Sequence, residues 1–335
     1  MIGEGATVSN IRIPPPWRIP DSRATSEGVF EDRRRLVKAL GLGALSVALP
    51  RIAAAGAKLG EKEMTAPAVG RFKDRFPAKQ NAAYQLGDRQ PTAENVASKY
   101  NNFYEFTTTK DKVWELAYGY KVDPWKVNVK GLVAKPKTLG LDDFFTKFPL
   151  EERLYRFRCV ERWAMQVPWT GFPLAKLIDA CEPLASARYV RFVTVRDAQG
   201  LPGQKSQQWY PWPYFEGLRL DEARNEMAFA VVGIYGHALP MQHGAPWRVV
   251  TPWKYGYKSA KSIVEIEFTD KQPPTFWNEL YSSEYGFYSN IDPAKPHPRW
   301  SQKLEQDIGT GETRDTLLYN GYGAQVGSLY KGDEV

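Results

Sequence analysis

The two cysteines of the sequence are its first candidates for chemistry, and their neighbours predict different surroundings for them. Residues 155–158 alternate aromatic and basic side chains, a period-two pattern that places Cys159 at the inward-facing end of a strand. Between residues 174 and 181, apolar side chains recur at helical spacing, so Cys181 is expected on the apolar face of a helix. From these patterns alone, the pair could form a disulfide or remain two buried, unreactive thiols.

Common hydrolytic chemistry has no visible motif in this chain. The three histidines include no pair four residues apart with a carboxylate between them, which is the helical pattern of a zinc protease. No Gly-x-Ser-x-Gly segment is present, which argues against the nucleophile elbow of a hydrolase. The thiols and one basic turn therefore remain as candidates.

The basic turn lies between two predicted strands near residue 260. A strand predicted at residues 247–251 leads to a turn rich in Gly, Ser and Lys, and residues 263–268 alternate as a strand again. Backbone N–H groups and ammonium charges in such a turn can bind an anion.

The elements that must position these residues are strands and short helices in no regular βαβ order. Strands are predicted at residues 125–130, 155–159, 189–195, 227–235, 247–251 and 263–268. Helices are predicted at residues 141–148 and 173–181, with a helical turn that starts at residue 218. Residues 197–216 are expected to form a loop, and the aromatic, loop-rich chain after residue 273 is expected to cover one face of the core.

Composition indicates a globular protein rather than a disordered or nucleic-acid-binding one. The 335 residues are 43% hydrophobic and 25% charged, which suffices for one large domain or two small ones with a sizeable core. The formal charge of +7 is modest, and the basic residues are scattered apart from one run near the N-terminus. A nucleic acid partner is therefore not expected.

The N-terminal basic run predicts a twin-arginine export signal. Three consecutive arginines at residues 33–35 precede a short Gly- and Ala-rich apolar stretch at 39–49 and small residues at 53–55. The apolar stretch is shorter than the ~20 residues that cross a bilayer. Because this route carries folded proteins, a cofactor inserted in the cytoplasm is suggested before any motif is considered.

This interpretation divides the chain into three parts. Residues 1–55 are expected to be removed as the signal peptide, and residues 56–95, which are polar and lack a sustained period, are expected to form an extended lead-in. Residues 96–335 are expected to form a single domain. The predicted location of the mature protein is the periplasm.

Four ordered motifs resemble those of the sulfite oxidase superfamily. They are RCVERW at residues 158–163, WTGFPL at 169–174, HGAPWR at 243–248 and PWKYGYKS at 252–259. The segments YNNFYEF at 100–106 and YNGYGAQV at 319–326 extend the resemblance over nearly the whole mature chain. Within the superfamily, the chain most resembles the periplasmic protein-methionine-sulfoxide reductase catalytic subunits.

The resemblance implies a molybdenum-molybdopterin cofactor (Mo-MPT) whose metal is held by the pterin dithiolene and by the thiolate of Cys159. A soft thiolate suits such a metal, and Cys181 then remains a small apolar helix residue without a disulfide partner. The residues implied to hold the pterin and its phosphate are Asn101, Tyr104, Glu105, Thr194, His243, Arg248, Ser259, Ala260 and Lys261. Amide and imidazole groups can match the pterin, while basic groups and turn N–H groups can neutralise the phosphate.

The implied fold is an α+β, mixed β-rich molybdopterin-binding domain of the sulfite oxidase type with short surrounding helices. Nothing in the sequence resembles a fused haem domain, so the resemblance implies a monomeric catalytic subunit that receives electrons from a membrane-embedded haem b subunit. The implied activity is the reduction of methionine sulfoxide in oxidised periplasmic proteins, a repair reaction at the molybdenum.

Two other functions stay open from the sequence: a sulfite-oxidising enzyme that passes electrons to an external acceptor, and a redox-inactive pterin-binding protein. Sulfite is an anion, and its desolvation requires clustered arginines near the metal, since burying an unpaired charge costs several kcal/mol. Glu161 and Trp163 instead follow Cys159 here, which favours a neutral sulfoxide. Glu161 could face the metal or form a surface ion pair with an arginine. The aromatic residues expected to border the substrate are drawn from Trp163, Trp169, Trp253, Tyr255 or Tyr257.

Overall fold

A computed structural model describes residues 59–332. The predicted export signal, residues 1–55, and the first three residues of the predicted lead-in therefore lie outside the described residues. Within residues 59–332, none of the helices combines the length and apolar character needed to cross a bilayer.

Strands and short helices alternate irregularly along the described chain. The strands are β1 (Lys126–Gly131), β2 (Lys137–Gly140), β3 (Glu151–Arg158), β4 (Trp163–Pro173), β5 (Tyr189–Thr194), β6 (Phe215–Arg219), β7 (Phe229–Ile234), β8 (His237–Ala238), β9 (Arg248–Val250), β10 (Ile263–Thr269), β11 (Leu304–Asp307) and β12 (Thr313–Asp315). The α-helices span Glu61–Met64, Glu94–Lys99, Val113–Ala117, Leu141–Thr146, Leu174–Cys181, Pro202–Ser206, Leu220–Arg224, Phe276–Leu280 and Gly323–Val326. Short 3-10 helices span Lys73–Arg75, Lys110–Lys112, Met241–His243, Gly256–Lys258, Leu318–Gly321 and Gly327–Leu329.

The strands form two mixed sheets. One has the order β2-β1-β10-β5-β6, in which β1 and β10 run parallel and the other neighbours run antiparallel. The other has the order β12-β11-β4-β7-β8, with β3 paired to β4 and β9 paired to β7. This mixture of parallel and antiparallel strands with short helices confirms the predicted α+β class.

β4 is the central strand of the second sheet. It pairs along its length with β3, and parts of it pair with β7 and β11. Ten of its eleven residues are buried, so its two faces do not alternate between core and solvent. The sequence patterns did not predict this strand, because a strand covered on both faces lacks the period-two signal.

Several predicted elements are confirmed, and one loop is wrong. β1, β3, β5, β7, β9 and β10 lie where strands were predicted, and the helices Leu141–Thr146 and Leu174–Cys181 also form. The segment 197–216, however, contains the helix Pro202–Ser206 and the start of β6, which continues to Arg219. The helical turn predicted from residue 218 begins at Leu220 instead.

The described part of the lead-in, residues 59–95, is irregular and attached to the domain. Gln242 donates from its side-chain amide to the Met64 carbonyl oxygen at 2.6 Å, and Arg89 forms a 2.8 Å ion pair with the buried Glu305. These two contacts hold the described part of the segment against the domain.

Candidate active site

Cys159 lies in the tight turn that joins β3 to β4. The Cys159 backbone N–H donates to the Trp163 carbonyl oxygen at 2.9 Å, and the Arg158 guanidinium donates to the Cys159 carbonyl oxygen. Arg162 adopts a left-handed conformation with φ of 76°, which lets the chain reverse at once. The prediction that Cys159 lies at a strand end is therefore confirmed.

The Cys159 thiol faces a cavity with an empty volume of about 920 Å³, part of it open to solvent. Six of the nine residues predicted to bind the cofactor line this cavity. They are Asn101, Tyr104, Glu105, His243, Arg248 and Lys261. The fold thus brings together side chains separated by as many as 160 positions in the chain.

The other three predicted residues, Thr194, Ser259 and Ala260, lie behind the cavity wall. Thr194 is buried, and its hydroxyl donates to Glu105 Oε1 at 3.4 Å, so it supports a wall residue. The N–H groups of Ser259 and Ala260 donate to the carbonyl oxygens of Gly256 and Lys258. These two N–H groups are used within the turn, so the turn offers less to an anion than its sequence suggested.

Glu161 is part of the cavity wall, next to the thiol. Its Oε2 accepts hydrogen bonds from Asn102 Nδ2 at 3.0 Å and Trp163 Nε1 at 3.1 Å, and its Oε1 lies 3.1 Å from Lys110 Nζ. The carboxylate is 3.6 Å from Cys159 Sγ. Glu161 therefore faces the Cys159 thiol, and its ion pair is with Lys110 rather than with an arginine.

The charge of Glu161 is stabilised despite its burial. Burial by itself would raise the pKa of Glu161, but hydrogen bonds from Asn102 and the charge of Lys110 outweigh it and lower the pKa below its ordinary value. Burial, and then the Glu161 charge, raise the pKa of Cys159 to about 12. At neutral pH this thiol becomes a thiolate only when a metal cation displaces its proton.

Asn102 is a site residue that the sequence reasoning missed. Its side-chain amide donates to Cys159 Sγ at 3.3 Å as well as to Glu161. A sequence signal for Asn102 was present, because it belongs to the segment 100–106 and is adjacent to Asn101, which was predicted as a site residue. Lys110 carried no comparable signal, since its contact with Glu161 spans 51 positions.

Both arginines that flank the thiol in sequence point away from the cavity. Arg158 is fully buried, and it lies 3.5 Å from Glu305 and donates to Gln302 Oε1 at 2.8 Å. The Arg162 side chain donates to the Leu304 carbonyl oxygen at 3.3 Å. Neither guanidinium lines the cavity at the thiol, so a small anion would meet Glu161 there without a neighbouring arginine.

A second group of cavity residues is basic and deeply buried. Arg248 is 4% exposed, and its guanidinium donates to the carbonyl oxygens of His243 and Ser259, both at 3.1 Å. No carboxylate pairs with it within the described residues. Burial lowers the pKa of Arg248 to about 9 and, with the Arg248 charge, that of His243 to about 3. At neutral pH His243 is therefore neutral, and its Nε2 lies 3.0 Å from Ser98 Oγ.

The three lysines near the basic turn have different partners. Lys254 Nζ lies 2.5 Å from Glu222, and Lys258 Nζ lies 2.7 Å from Glu216. Lys261 forms no ion pair among residues 59–332, and its ammonium lies 5.1 Å from the centre of the Phe103 ring. Burial lowers the pKa of Lys261 to about 8. Of these three, Lys261 is the one without an ion pair in the described part of the chain; it interacts at longer range with the buried Glu105 of the cavity wall, whose pKa burial raises.

Of the five aromatic residues considered for the substrate, two line the cavity. Trp163 and Tyr257 line the cavity, whereas Trp169 and Trp253 are completely buried in the core. Tyr255 packs against Arg158 instead, with its ring centre 5.7 Å from the guanidinium carbon. The aromatic residues of the wall that the sequence reasoning missed are Phe157, Tyr214, Phe276, Trp277 and Tyr285. Those after residue 273 come from the loop-rich segment that was expected to cover the core.

Cys159 and Cys181 are both free thiols, which excludes a disulfide between them in this structure. Cys181 is fully buried at the end of the helix Leu174–Cys181, on its apolar face. The prediction for Cys181 as a packed helix residue is confirmed.

The cavity residues fit a molybdopterin cofactor. Neither the buried Arg248 nor the half-buried Lys261 forms an ion pair with a carboxylate among residues 59–332, although Lys261 interacts at longer range with the buried Glu105, and two cations so placed suit a phosphate. The side-chain carbonyl oxygens of Asn101 and Asn102 are buried without a hydrogen bond, which suits the donors of a pterin. Cys159 supplies one thiolate for a metal. No cluster of three or more His, Cys, Asp and Glu side chains suited to a metal occurs in residues 59–332.

The family model described as the oxidoreductase molybdopterin binding domain matches residues 116–277. With the cavity at Cys159, this match places the protein in the class of molybdopterin-binding oxidoreductases. The protein-methionine-sulfoxide reductase catalytic subunit MsrP of Ralstonia nicotianae is 48% identical over 323 residues, which cover 94% of each chain. The subunit of the same name from Pseudomonas syringae pv. tomato is 44% identical, over 96% of this chain and 97% of that relative.

At this identity and coverage, the chain belongs to the family of protein-methionine-sulfoxide reductase catalytic subunits. The solved structure of the sulfane dehydrogenase SoxCD from Paracoccus pantotrophus aligns with 68% of this chain and 59% of its own. Its TM-score is 0.40 at 14% identity, so the family assignment depends on the sequence relatives.

Proposed function

We propose that this protein reduces methionine sulfoxide residues of periplasmic proteins at a molybdenum ion held by Cys159 and the pterin, and so repairs oxidative damage. The observation that carries the proposal is the cavity at the Cys159 thiol, where an ionised Glu161 and aromatic side chains surround the space for a neutral substrate. The names of the two relatives support the same substrate class.

The chain's own residues would bind and orient the sulfoxide. When bound, the cofactor would supply the two-electron redox chemistry that removes the sulfoxide oxygen. The net reaction consumes two electrons and two protons, forms methionine and releases one water. The Asn102 amide donates to Cys159 Sγ and Glu161, and the Tyr104 hydroxyl donates to Glu161, so an accepting sulfoxide oxygen would have to replace one of these contacts. Trp277 and Tyr285 of the cavity wall would pack against the apolar thioether chain.

The charge at the cavity wall distinguishes neutral methionine sulfoxide from the sulfite anion. Glu161 carries a negative charge beside the thiol, and the guanidinium groups of Arg158 and Arg162 point away from it. The cation beside this carboxylate, Lys110, is already paired with it, so an anion would lose its hydration here without an unpaired cation, whereas a sulfoxide carries no net charge to desolvate. The basic groups Arg248 and Lys261 are assigned to the cofactor phosphate in this proposal.

The proposal also includes an electron donor, a membrane-embedded haem b subunit fed by quinones. The description of the relatives as catalytic subunits supports a separate redox subunit. Export through the twin-arginine route is supported by the arginines at residues 33–35 and the short apolar stretch that follows them.

Purified holoenzyme with a reduced dye as donor tests the reaction. It should consume both free and protein-bound methionine sulfoxide, and it should oxidise sulfite far more slowly when an acceptor is supplied. A larger kcat/KM for sulfite than for methionine sulfoxide would refute the proposal and favour a sulfite oxidase.

Export has a separate test. Replacing Arg33, Arg34 and Arg35 by lysine keeps the charge but removes the arginines, so cofactor-loaded protein should remain in the cytoplasm. Cell fractionation with immunodetection measures this, and normal periplasmic accumulation of the variant would contradict the signal.

A further inference from the structure

An exposed group of aromatic side chains borders the cavity on one side. Trp209 is 69% exposed, the largest value among the exposed large apolar side chains of the described chain, and Tyr281 is 47% exposed. Together with Tyr210 and Trp277, they form what we call the aromatic rim. Large aromatic surface left in water is typical of binding sites, because its burial against a partner is favourable.

The aromatic rim is continuous with the cavity wall. The ring centres of Tyr104 and Trp277, which both line the cavity, are 5.7 Å apart. Trp277 is 5.9 Å from Tyr210, and Tyr210 is 5.8 Å from Trp209. A row of aromatic rings therefore leads from the cavity to the exposed surface.

The loop that carries Trp209 and Tyr210 is tied to the cavity wall. Gln207 donates from its side-chain amide to the Tyr104 carbonyl oxygen at 3.1 Å, and the Trp212 indole N–H donates to the Gln207 carbonyl oxygen at 2.9 Å. Tyr210 also packs on Phe276 at 5.7 Å between ring centres. A rigid surface loses little conformational entropy when it binds a partner.

We infer that the aromatic rim binds the polypeptide segment that flanks the methionine sulfoxide in a protein substrate. This inference rests on the proposed function, because the oxidised side chain must enter the cavity through the mouth that the rim borders. The backbone on one side of that residue then lies over Trp277, Tyr210 and Trp209. A redox partner seated on the same rings would cover the mouth through which the substrate enters.

The length of the row limits which substrates can use it. Three ring-to-ring steps place Trp209 at most roughly 17 Å from Tyr104, which is about five residues of extended chain at ~3.4 Å per residue. We therefore expect a segment that continues for several residues beyond the oxidised one to contact more of the row than a single blocked residue does.

The test uses the holoenzyme, a reduced dye and two neutral substrates. One is the blocked amino acid N-acetyl-methionine sulfoxide methylamide, and the other is a 13-residue alanine- and serine-based peptide with a central methionine sulfoxide. Trp209→Ala should lower kcat/KM for the peptide by roughly tenfold and leave that of the blocked amino acid unchanged. Trp209→Phe should retain most of the peptide activity, because it keeps an aromatic ring.

The controls make each outcome decisive. Tyr118→Ala removes another exposed aromatic side chain, 49% exposed and outside the rim, and should leave both substrates unaffected. Equal losses on both substrates, or no loss on the peptide, would refute the inference. So would a loss confined to turnover driven by quinol and the membrane donor, which would indicate a donor interface. Failure of the proposed function differs from all of these, because wild-type enzyme would then reduce neither sulfoxide.

Discussion

Cys159 and Cys181 have similar chemistry but different surroundings. Both are buried free thiols, and burial is the main cause that raises the pKa of each to about 12. Cys159, however, sits in a turn at a cavity, where Asn102 Nδ2 and the Glu161 N–H approach its sulfur at 3.3 and 3.4 Å. Cys181 packs into the apolar face of a helix. Burial and pKa therefore do not distinguish a metal ligand from a structural thiol, whereas the space and the donors around the sulfur do.

The largest effect is expected from Cys159→Ser, which removes the one proposed protein ligand of the metal. Turnover of methionine sulfoxide should fall by roughly 10³-fold or more, since a hydroxyl is a poor substitute for a soft thiolate. Molybdenum content and the electron paramagnetic resonance spectrum should change together with activity. An active variant with an unchanged spectrum would remove the distinction between the two cysteines.

Arg248→Met tests whether the buried cation at the cavity binds the cofactor phosphate. Loss of a charge-assisted interaction should weaken cofactor retention by about 10- to 100-fold, measured as pterin content after extensive dialysis. Arg248→Lys is the matched control, because it keeps the charge and should retain more cofactor. Full pterin content in the methionine variant would show that the phosphate binds elsewhere.

Glu161→Gln changes the charge beside Cys159 while keeping the shape of the side chain. The ratio of kcat/KM for sulfite to that for methionine sulfoxide should rise by about tenfold, because one repulsive charge is removed from the wall. Glu312→Gln, an exposed acid on the β12 side, serves as a control for a general change in net charge. An unchanged ratio would mean that the carboxylate does not select against anions.

The smallest effect is expected from Cys181→Ala. Removing one buried sulfur from the helix Leu174–Cys181 should lower the free energy of unfolding by about 1–2 kcal/mol through lost packing. Denaturant unfolding measures this change, while molybdenum content and turnover should stay at wild-type values. A loss of metal in this variant would assign Cys181 a role beyond packing.

Local patterns were sufficient for much of the fold. The alternation in β3 predicted the strand that ends at Cys159, and the apolar spacing in Leu174–Cys181 predicted its helix and buried face. Both signals arise because one face of each element is covered and the other is not. β4 and β6 were missed for the opposite reason, since nearly all of their residues are buried.

The site shows the same division between local and long-range information. The resemblance carried by the segment 100–106, the HGAPWR motif and the basic turn pointed to six residues of the cavity wall. The contacts that hold Glu161, from Asn102 and Lys110, cross 59 and 51 positions of the chain. No spacing rule predicts such contacts, because they depend on how the segment 100–112 packs against the β3–β4 turn.

The sequence by itself determined which groups the protein can use: one thiol at a strand end, another on a helix, and three lysines in one short segment. Only the tertiary structure decided their roles. Lys254 and Lys258 form ion pairs with the distant acids Glu222 and Glu216, while Lys261 forms none among the described residues and interacts with Glu105 at longer range. The physical reason is that an unpaired buried charge is costly, and which lysine gains an acid is decided by packing in space rather than by position along the chain.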